Sequence, residues 1–351
     1  MSLTIVDLEF YLVEIGCFGQ EPPVRSLVVR LGTNRGLEGW GEAQVPWQPA
    51  ELPARRDALF PVMAERSVFE IEELLALAAL RSAPLRCAVE MASWDLIGRA
   101  TGEPLCHLFG GGYRPRVPVA VRAEADGPVA TARLARELAE LGFHWQTVAS
   151  CGDVEQDVET LAAVSEATPD RTELQFDAGA LYDMDAARDL CAEVEGFGLS
   201  VVLDPLRTRD LDQVASLRRQ TSVGLGVWRA IRGPADVLAM VRCGAAPFAV
   251  VDLQLVGSLT AARKCAAIVQ TAGLGAALST GPSLGIGAAA MLQLACATPT
   301  FSGCNPCGPL RLRDDVITEP LVIAEGMIAV PKGPGLGVEV DRAKVERYQV
   351  T

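Results

Sequence analysis

The rhythm of apolar and polar positions changes twice along the chain. Near the start it alternates. Residues 26–31 (Ser-Leu-Val-Val-Arg-Leu) predict a strand, residues 33–36 a turn, and residues 39–42 a second strand. A helical stripe follows over residues 84–100, with Ala88, Met91, Ala92 and Trp94 to Leu96 on its apolar face. From about residue 117 short apolar runs alternate with amphipathic stretches. The runs fall at 117–120, 145–149, 174–176, 201–203, 223–227, 248–253 and 275–278, with a weaker one near Phe301. The intervening stretches 129–141, 154–166, 185–194, 211–219, 234–243, 259–273 and 284–297 predict helices. Repeated strand–helix units of this kind predict a parallel barrel, and an open doubly wound sheet is the alternative. Neither a glycine-rich dinucleotide fingerprint nor a P-loop follows an early strand. A turn-rich segment at 331–338 precedes the last residues and is apolar enough to pack back on another part of the molecule.

Composition narrows the chemistry. Among 351 residues there are 31 basic and 44 acidic ones, a formal net charge of -13. That balance argues against a nucleic-acid or anionic-membrane partner, because phosphates require clustered Lys and Arg. No apolar run reaches the roughly 18 residues of a membrane span. The start of the chain, with Asp7 and Glu9 and no positive charge before Arg25, does not read as a signal peptide. Ten scattered cysteines then read as reduced thiols of a cytoplasmic protein. Lys264, Lys332 and Lys344 are the only lysines, and His107 and His144 the only histidines. Nearly all positive charge is therefore arginine, which stays protonated and is a poor general base.

Four motifs occur in order along almost the whole chain: Trp40-Gly41-Glu42, Ala92 to Gly98 (Ala-Ser-Trp-Asp-Leu-Ile-Gly), Leu108-Phe109-Gly110-Gly111, and Pro331 to Val338 with Asp341. They resemble the GWGE, AxWDLxG, LLGG and closing PxGPGLGVExD motifs of the enolase superfamily, in its mandelate racemase and muconate lactonizing group. The resemblance implies an α/β fold: a modified (β/α)7β TIM-type barrel over residues 117–315. An α+β capping domain would form from residues 1–116, with residues 316–351 returning to it. It also implies proton abstraction alpha to a carboxylate. Magnesium would be held by three carboxylates on the third to fifth barrel strands, with lysines, or a lysine and a histidine, as bases. A homo-oligomer is implied as well.

The residues at those positions depart from the pattern. Thr147 and Ala149 stand at the two second-strand lysine positions. His144 lies on the opposite strand face from Thr147 and reads as structural. Asp177 matches the third-strand carboxylate. Leu203 replaces the fourth-strand ligand and is followed by Asp204. Arg229 takes the fifth-strand ligand position, preceded by Trp228. Asp252 and Gln254 fall near the sixth-strand lysine, and Ser283 stands for the seventh-strand glutamate. The set leaves remnant ligand positions at Asp177 and Asp204 and no expected cofactor, since hard divalent ions need several oxygen ligands. Arg229 is expected in place of the ion, paired with Asp177 and Asp204. The other reading is a surface charge on rearranged loops. Arg229 and Arg122 are candidate contacts for a small carboxylate. Phe18, in the loop 16–23, and Trp47 either enclose an apolar ligand or pack between domains. Cys304 and Cys307 have redox or zinc half-site spacing but lack the second ligand pair that zinc requires.

Three functions are compatible with these residues. One is a divergent isomerase or lyase acting on a small carboxylate with Arg229 supplying the metal's charge. Another is a pseudoenzyme that binds without turnover. The last is a conventional magnesium-dependent racemase, dehydratase or cycloisomerase, which requires a different strand register.

Overall fold

The computed structural model describes residues 3–18, 22–168, 171–303, 305–306 and 312–351. The chain begins with an antiparallel sheet of β1 (Ile5–Ile15), β2 (Val24–Thr33) and β3 (Glu38–Ala43), in that order. The long first strand lies ahead of the strands expected at 26–31 and 39–42, and its Leu8, Phe10 and Leu12 are buried in alternation with partly exposed Glu9 and Tyr11. Helices α1 (Leu52–Met63), α2 (Ile71–Leu75), α3 (Ala83–Thr101) and α4 (Leu105–Leu108) follow. The glycine of the Trp40-Gly41-Glu42 motif has a steric purpose. A Cβ on Gly41 would lie 1.8 Å from the Ala88 carbonyl oxygen, so its absence lets α3 rest directly on the sheet.

Seven parallel strands come next: β4 (Arg116–Arg122), β5 (Trp145–Ala149), β6 (Glu173–Asp177), β7 (Leu199–Leu203), β8 (Leu225–Val227), β9 (Phe248–Asp252) and β10 (Gly275–Ser279). They alternate with α5 (Pro128–Glu140), α6 (Val154–Ala167), α7 (Met184–Glu193), α8 (Leu211–Arg218), α9 (Pro234–Cys243), the short α10 (Leu253–Val256), α11 (Leu259–Thr271) and α12 (Gly285–Ala297). The short β11 (Asn305–Pro306) pairs in parallel with β4, and Phe301 bridges to Ala276 of β10. Asn305 stitches the seam. Its side chain accepts from the Leu278 N–H at 2.8 Å and donates to the Pro118 carbonyl at 3.0 Å. The sheet thus closes into a barrel, and the open doubly wound alternative is excluded. Its interior holds Val201, Leu203, Val250 and Ala277, with Phe248 and Trp228 against them. Gly226 makes room there, since a Cβ would meet Leu203 Cδ2 at 2.6 Å.

The last segment serves both halves. A hairpin of β12 (Ile323–Ala324) and β13 (Met327–Ala329) adds antiparallel to β4. After α13 (Arg342–Arg347), the Val350 N–H donates to the Leu12 carbonyl of β1 at 2.7 Å. Among the described residues no helix is long and apolar enough to cross a membrane.

Buried carboxylates join the sheet-and-helix cap to the barrel. Glu42 of β3 accepts the N–H groups of Leu284 at 2.7 Å and Gly287 at 2.8 Å, at the N-terminus of α12. Glu90 of α3 does the same for Leu259 and Thr260 at the start of α11. Each satisfies otherwise orphaned helix donors and faces the positive end of the helix dipole. Asp95 ties α3 to Trp40 N at 3.1 Å and to Leu336 N at 2.9 Å. Burial outweighs these donors, and at Asp95 also the Arg99 guanidinium 3.0 Å away, in raising the carboxyl pKa values, for Glu42 to about 7 and for Asp95 to about 6.

Candidate active site

Five consecutive barrel strands bring polar groups to one end. Asp177 closes β6, in register with Ala149 of β5 and Leu203 of β7. Strand alternation sends Leu203 into the barrel interior and would send Asp204 outward. A left-handed backbone at Asp204, φ 45°, ends the strand and re-aims its carboxylate. That carboxylate then accepts the backbone N–H groups of Trp228 and Arg229, both at 2.8 Å.

Arg229 sits between the two acids. Its Nη1 donates to Asp177 Oδ1 at 2.8 Å and to Asp204 Oδ2 at 3.0 Å, and its Nη2 to Asp177 Oδ2 at 2.8 Å. The pair with Asp177 is bidentate, the strongest common geometry for a guanidinium and a carboxylate. The guanidinium also lies 4.9 Å from the Trp228 ring centroid. Burial works against the charge on Arg229, but Asp177 and Asp204 more than offset it and hold its pKa above the ordinary value. The Trp228 indole N–H reaches Asp252 Oδ2 at 3.2 Å. Asp252 ends β9 and caps α10 through Gln254 N at 2.9 Å. Its burial raises the carboxyl pKa, against hydrogen bonds from Ser279, the Gln254 backbone and Trp228. A continuous polar chain therefore runs from Asp177 through Arg229, Asp204, Trp228 and Asp252 to Ser279.

Other expected residues divide into those at this mouth and those elsewhere. Thr147 faces inward on β5, buried and in register with Arg122 and Gln175. Arg122 ends β4 with its side chain 40% exposed. Its nearest acidic oxygens, on Glu124 and Asp177, stand at 3.6 and 3.9 Å, outside hydrogen-bond reach. Gln254, in the turn after Asp252, aims its side chain at the capping sheet. Its amide accepts from Gln44 N at 3.2 Å and donates to the Glu42 carbonyl at 3.4 Å, which makes it a link to the capping sheet. Ser283 is buried and shares a hydrogen bond with Thr280 at 2.8 Å. Trp47 packs on Phe10 under the Arg55 guanidinium, within the capping core. Phe18 is exposed. His144 precedes β5, at the end of the barrel away from the mouth. Lys264 pairs with Glu72 and Lys344 with Asp314, both away from the mouth. Cys304 and Cys307 lie outside the described residues.

Comparisons with known proteins now bear on this geometry. A family model described as enolase C-terminal domain-like matches residues 130–344, and one for the mandelate racemase/muconate lactonizing enzyme N-terminal domain matches residues 18–110. The chain belongs to this family of the enolase superfamily. Muconate cycloisomerase 1 of Rhodococcus opacus is 29% identical over 342 residues, 92% of this chain and 90% of that one. An L-Lys-D/L-Arg epimerase of Methylococcus capsulatus is 30% identical over 258 residues, 72% of this chain and 71% of that one. Among solved structures, an isomerase from Streptomyces coelicolor A3(2) superposes with a TM-score of 0.89 at 29% identity, covering 99% of both chains. A 2-chloromuconate cycloisomerase from Rhodococcus opacus 1CP shares the fold with a TM-score of 0.91 at 24% identity, over 100% of both chains.

Within this family frame, the magnesium implied by the resemblance can be tested against the donors. Of the three strand-end positions for ligands, Asp177 is a carboxylate, Leu203 is buried apolar packing and Arg229 is a cation. Both Asp177 oxygens and Asp204 Oδ2 are already bound by that cation. The set does not fit a hard divalent ion, which needs six or so oxygen ligands and no positive neighbour among them. Among the described residues no group of three or more His, Cys, Asp or Glu side chains is arranged to hold a metal ion.

Proposed function

We propose that this family member works without a metal and binds a small carboxylate at the barrel mouth without removing its alpha proton. The observation that carries the reading is the Asp177–Arg229–Asp204 cluster, a guanidinium joined to both carboxylates where a divalent ion would need free oxygens. Thr147 and Ala149, at the second-strand base positions, add support because neither side chain takes a proton near neutral pH. Arg122 is the ligand contact in this reading. Its guanidinium has only two loose ionic neighbours, whereas Arg229 has both terminal nitrogens committed. Recognition of a carboxylate by a partly exposed arginine is direct and needs no bridging ion.

The test has three arms. Metal analysis and magnesium titration of the purified chain are expected to show no stoichiometric ion. Incubation in deuterated water with a library of carboxylic acids, including muconates and amino acids, is expected to show no exchange at the alpha carbon. Thermal-shift screening of the same library is expected to find a stabilising acid, and Arg122→Ala to abolish the shift. Exchange that depends on added magnesium would restore the conventional reading.

One observation favours a second reading, a metal-independent isomerase or lyase. Asp252 is a buried carboxyl at the sixth-strand end that no guanidinium holds, and its pKa is raised. Such a group can exchange protons nearer neutrality than an ordinary aspartate. Alpha-proton exchange without metal, lost in Asp252→Asn, would establish it.

A further inference from the structure

We propose that the Arg229 guanidinium is an internal substitute for a bound cation, filling a place that the barrel mouth cannot leave uncharged. The inference deepens the metal-free reading above and rests on it. Asp177 and Asp204 end neighbouring strands, and their side chains are only 5% and 8% exposed. Three of their four oxygens converge on one side chain, and Nη1 alone touches both acids at 2.8 and 3.0 Å. Two carboxylates held this close, out of water, repel each other unless a positive centre lies between them. The left-handed backbone of Asp204 serves that same arrangement, since it turns the carboxylate away from its strand parity and toward Arg229.

A side chain differs from an ion in two ways that fit the rest of the mouth. Its charge is permanent and tethered, so occupancy does not depend on metal supply. It also binds the carboxylates in one plane and presents no open coordination position. Leu203, packed on Val250 and Ala277, accordingly stands where a third oxygen ligand would have no function. Removal of the guanidinium should leave a two-carboxylate cavity that recruits an external cation.

The experiment uses the full chain. Thermal unfolding of wild type and Arg229→Ala is followed with methylguanidinium, Mg2+ or Mn2+, against sodium chloride of equal ionic strength. The expected result is a lowered Tm in the variant that recovers by at least about half with one of these cations. Neither wild type nor Asp177→Asn/Arg229→Ala should respond. A second variant, Leu203→Glu/Arg229→Asp, should take up one Mn2+ per chain by electron paramagnetic resonance. Its affinity should exceed that of Asp177→Asn/Arg229→Ala by at least roughly tenfold, which mass action converts into a visible Tm shift. If Arg229→Ala does not fold, Arg229→Gln carries the same comparison. A folded variant that ignores every cation, or a doubly neutral variant that responds equally, overturns the inference while the metal-free reading stands. Stoichiometric Mn2+ on wild type overturns both.

Discussion

The barrel mouth and the seam between cap and barrel solve the same problem in different ways. Both bury carboxylates. At the seam, Glu42 and Glu90 are met by neutral donors, backbone N–H groups at helix N-termini together with the Ser26 and Thr260 hydroxyls, whereas Asp95 pairs with Arg99 at 3.0 Å besides accepting two backbone N–H groups. At the mouth, Asp177 and Asp204 are neutralised chiefly by one arginine side chain, with backbone N–H groups assisting Asp204. Neutral donors carry partial charges, so burial still raises the Glu42 pKa, and at the fully buried Asp95 it outweighs even the paired Arg99. A guanidinium carries a full charge, and the mouth's counter-ion stays protonated at any working pH. The seam is therefore expected to be sensitive to pH, and the mouth to depend on one side chain.

The largest test of this contrast is Arg229→Ala. It strands two buried carboxylates, and we expect a loss near the lower end of the about 3–5 kcal/mol typical of a broken buried pair, because the arginine is partly exposed. Urea unfolding measures it. Adding Asp177→Asn to the variant should return part of the loss; an additive or larger loss would mean that the pairing contributes little.

Glu42→Ala comes next, at about 2 kcal/mol, from the lost cap of α12 and the N–H groups left unsatisfied. The same residue supplies the pH signature. Its folded pKa of about 7 lies above the ordinary 4.5, so the folded state holds a proton that the unfolded chain has released. That stabilisation is complete below about pH 4.5 and is lost as pH rises to about 7. Asp95 acts in the same direction up to about pH 6. Unfolding free energies at half-unit steps should therefore fall across this window, and Glu42→Gln should flatten the slope. A slope unchanged in Glu42→Gln would remove the seam from the contrast.

Trp228→Phe is expected to cost about 1 kcal/mol, from one hydrogen bond to Asp252 and a weakened cation–π contact with Arg229. Calorimetric unfolding checks it. Arg122→Ala should be the mildest, below about 0.5 kcal/mol in stability, since its ion pairs are long and its own side chain is 40% exposed. Its effect should appear only in ligand binding, which separates a contact residue from a structural one.

Much of this was legible beforehand, and what stayed open has physical causes. The barrel strands were visible because buried parallel strands are continuous apolar runs. β1 also carries the period of a half-buried strand, with Leu8, Phe10 and Leu12 buried between the partly exposed Asp7, Glu9 and Tyr11. The sequence left open which of Asp252 and Gln254 ends the strand; β9 ends at Asp252 and a single helical turn follows at once. That turn carries Gln254 out of the strand's parity and onto Gln44. For Trp47 the sequence left ligand enclosure and packing between domains open, because an aromatic beside prolines suits either; in the structure it packs on Phe10 within the capping core.

The sequence by itself determined the family and the order of the elements, and it is the source of the expectation that Thr147, Leu203 and Arg229 stand where the resemblance implies lysine and carboxylates. These are properties of single positions and of period, which a linear string carries. Only the tertiary structure decided which charges meet. Asp177, Asp204 and Arg229 are separated by up to 52 residues, and their contact depends on the register of three strands and on the left-handed turn at Asp204. Arg122 and Arg229 are the same residue type in sequence. Closure of the barrel commits one to two carboxylates and leaves the other's nearest acidic oxygens beyond hydrogen-bond reach.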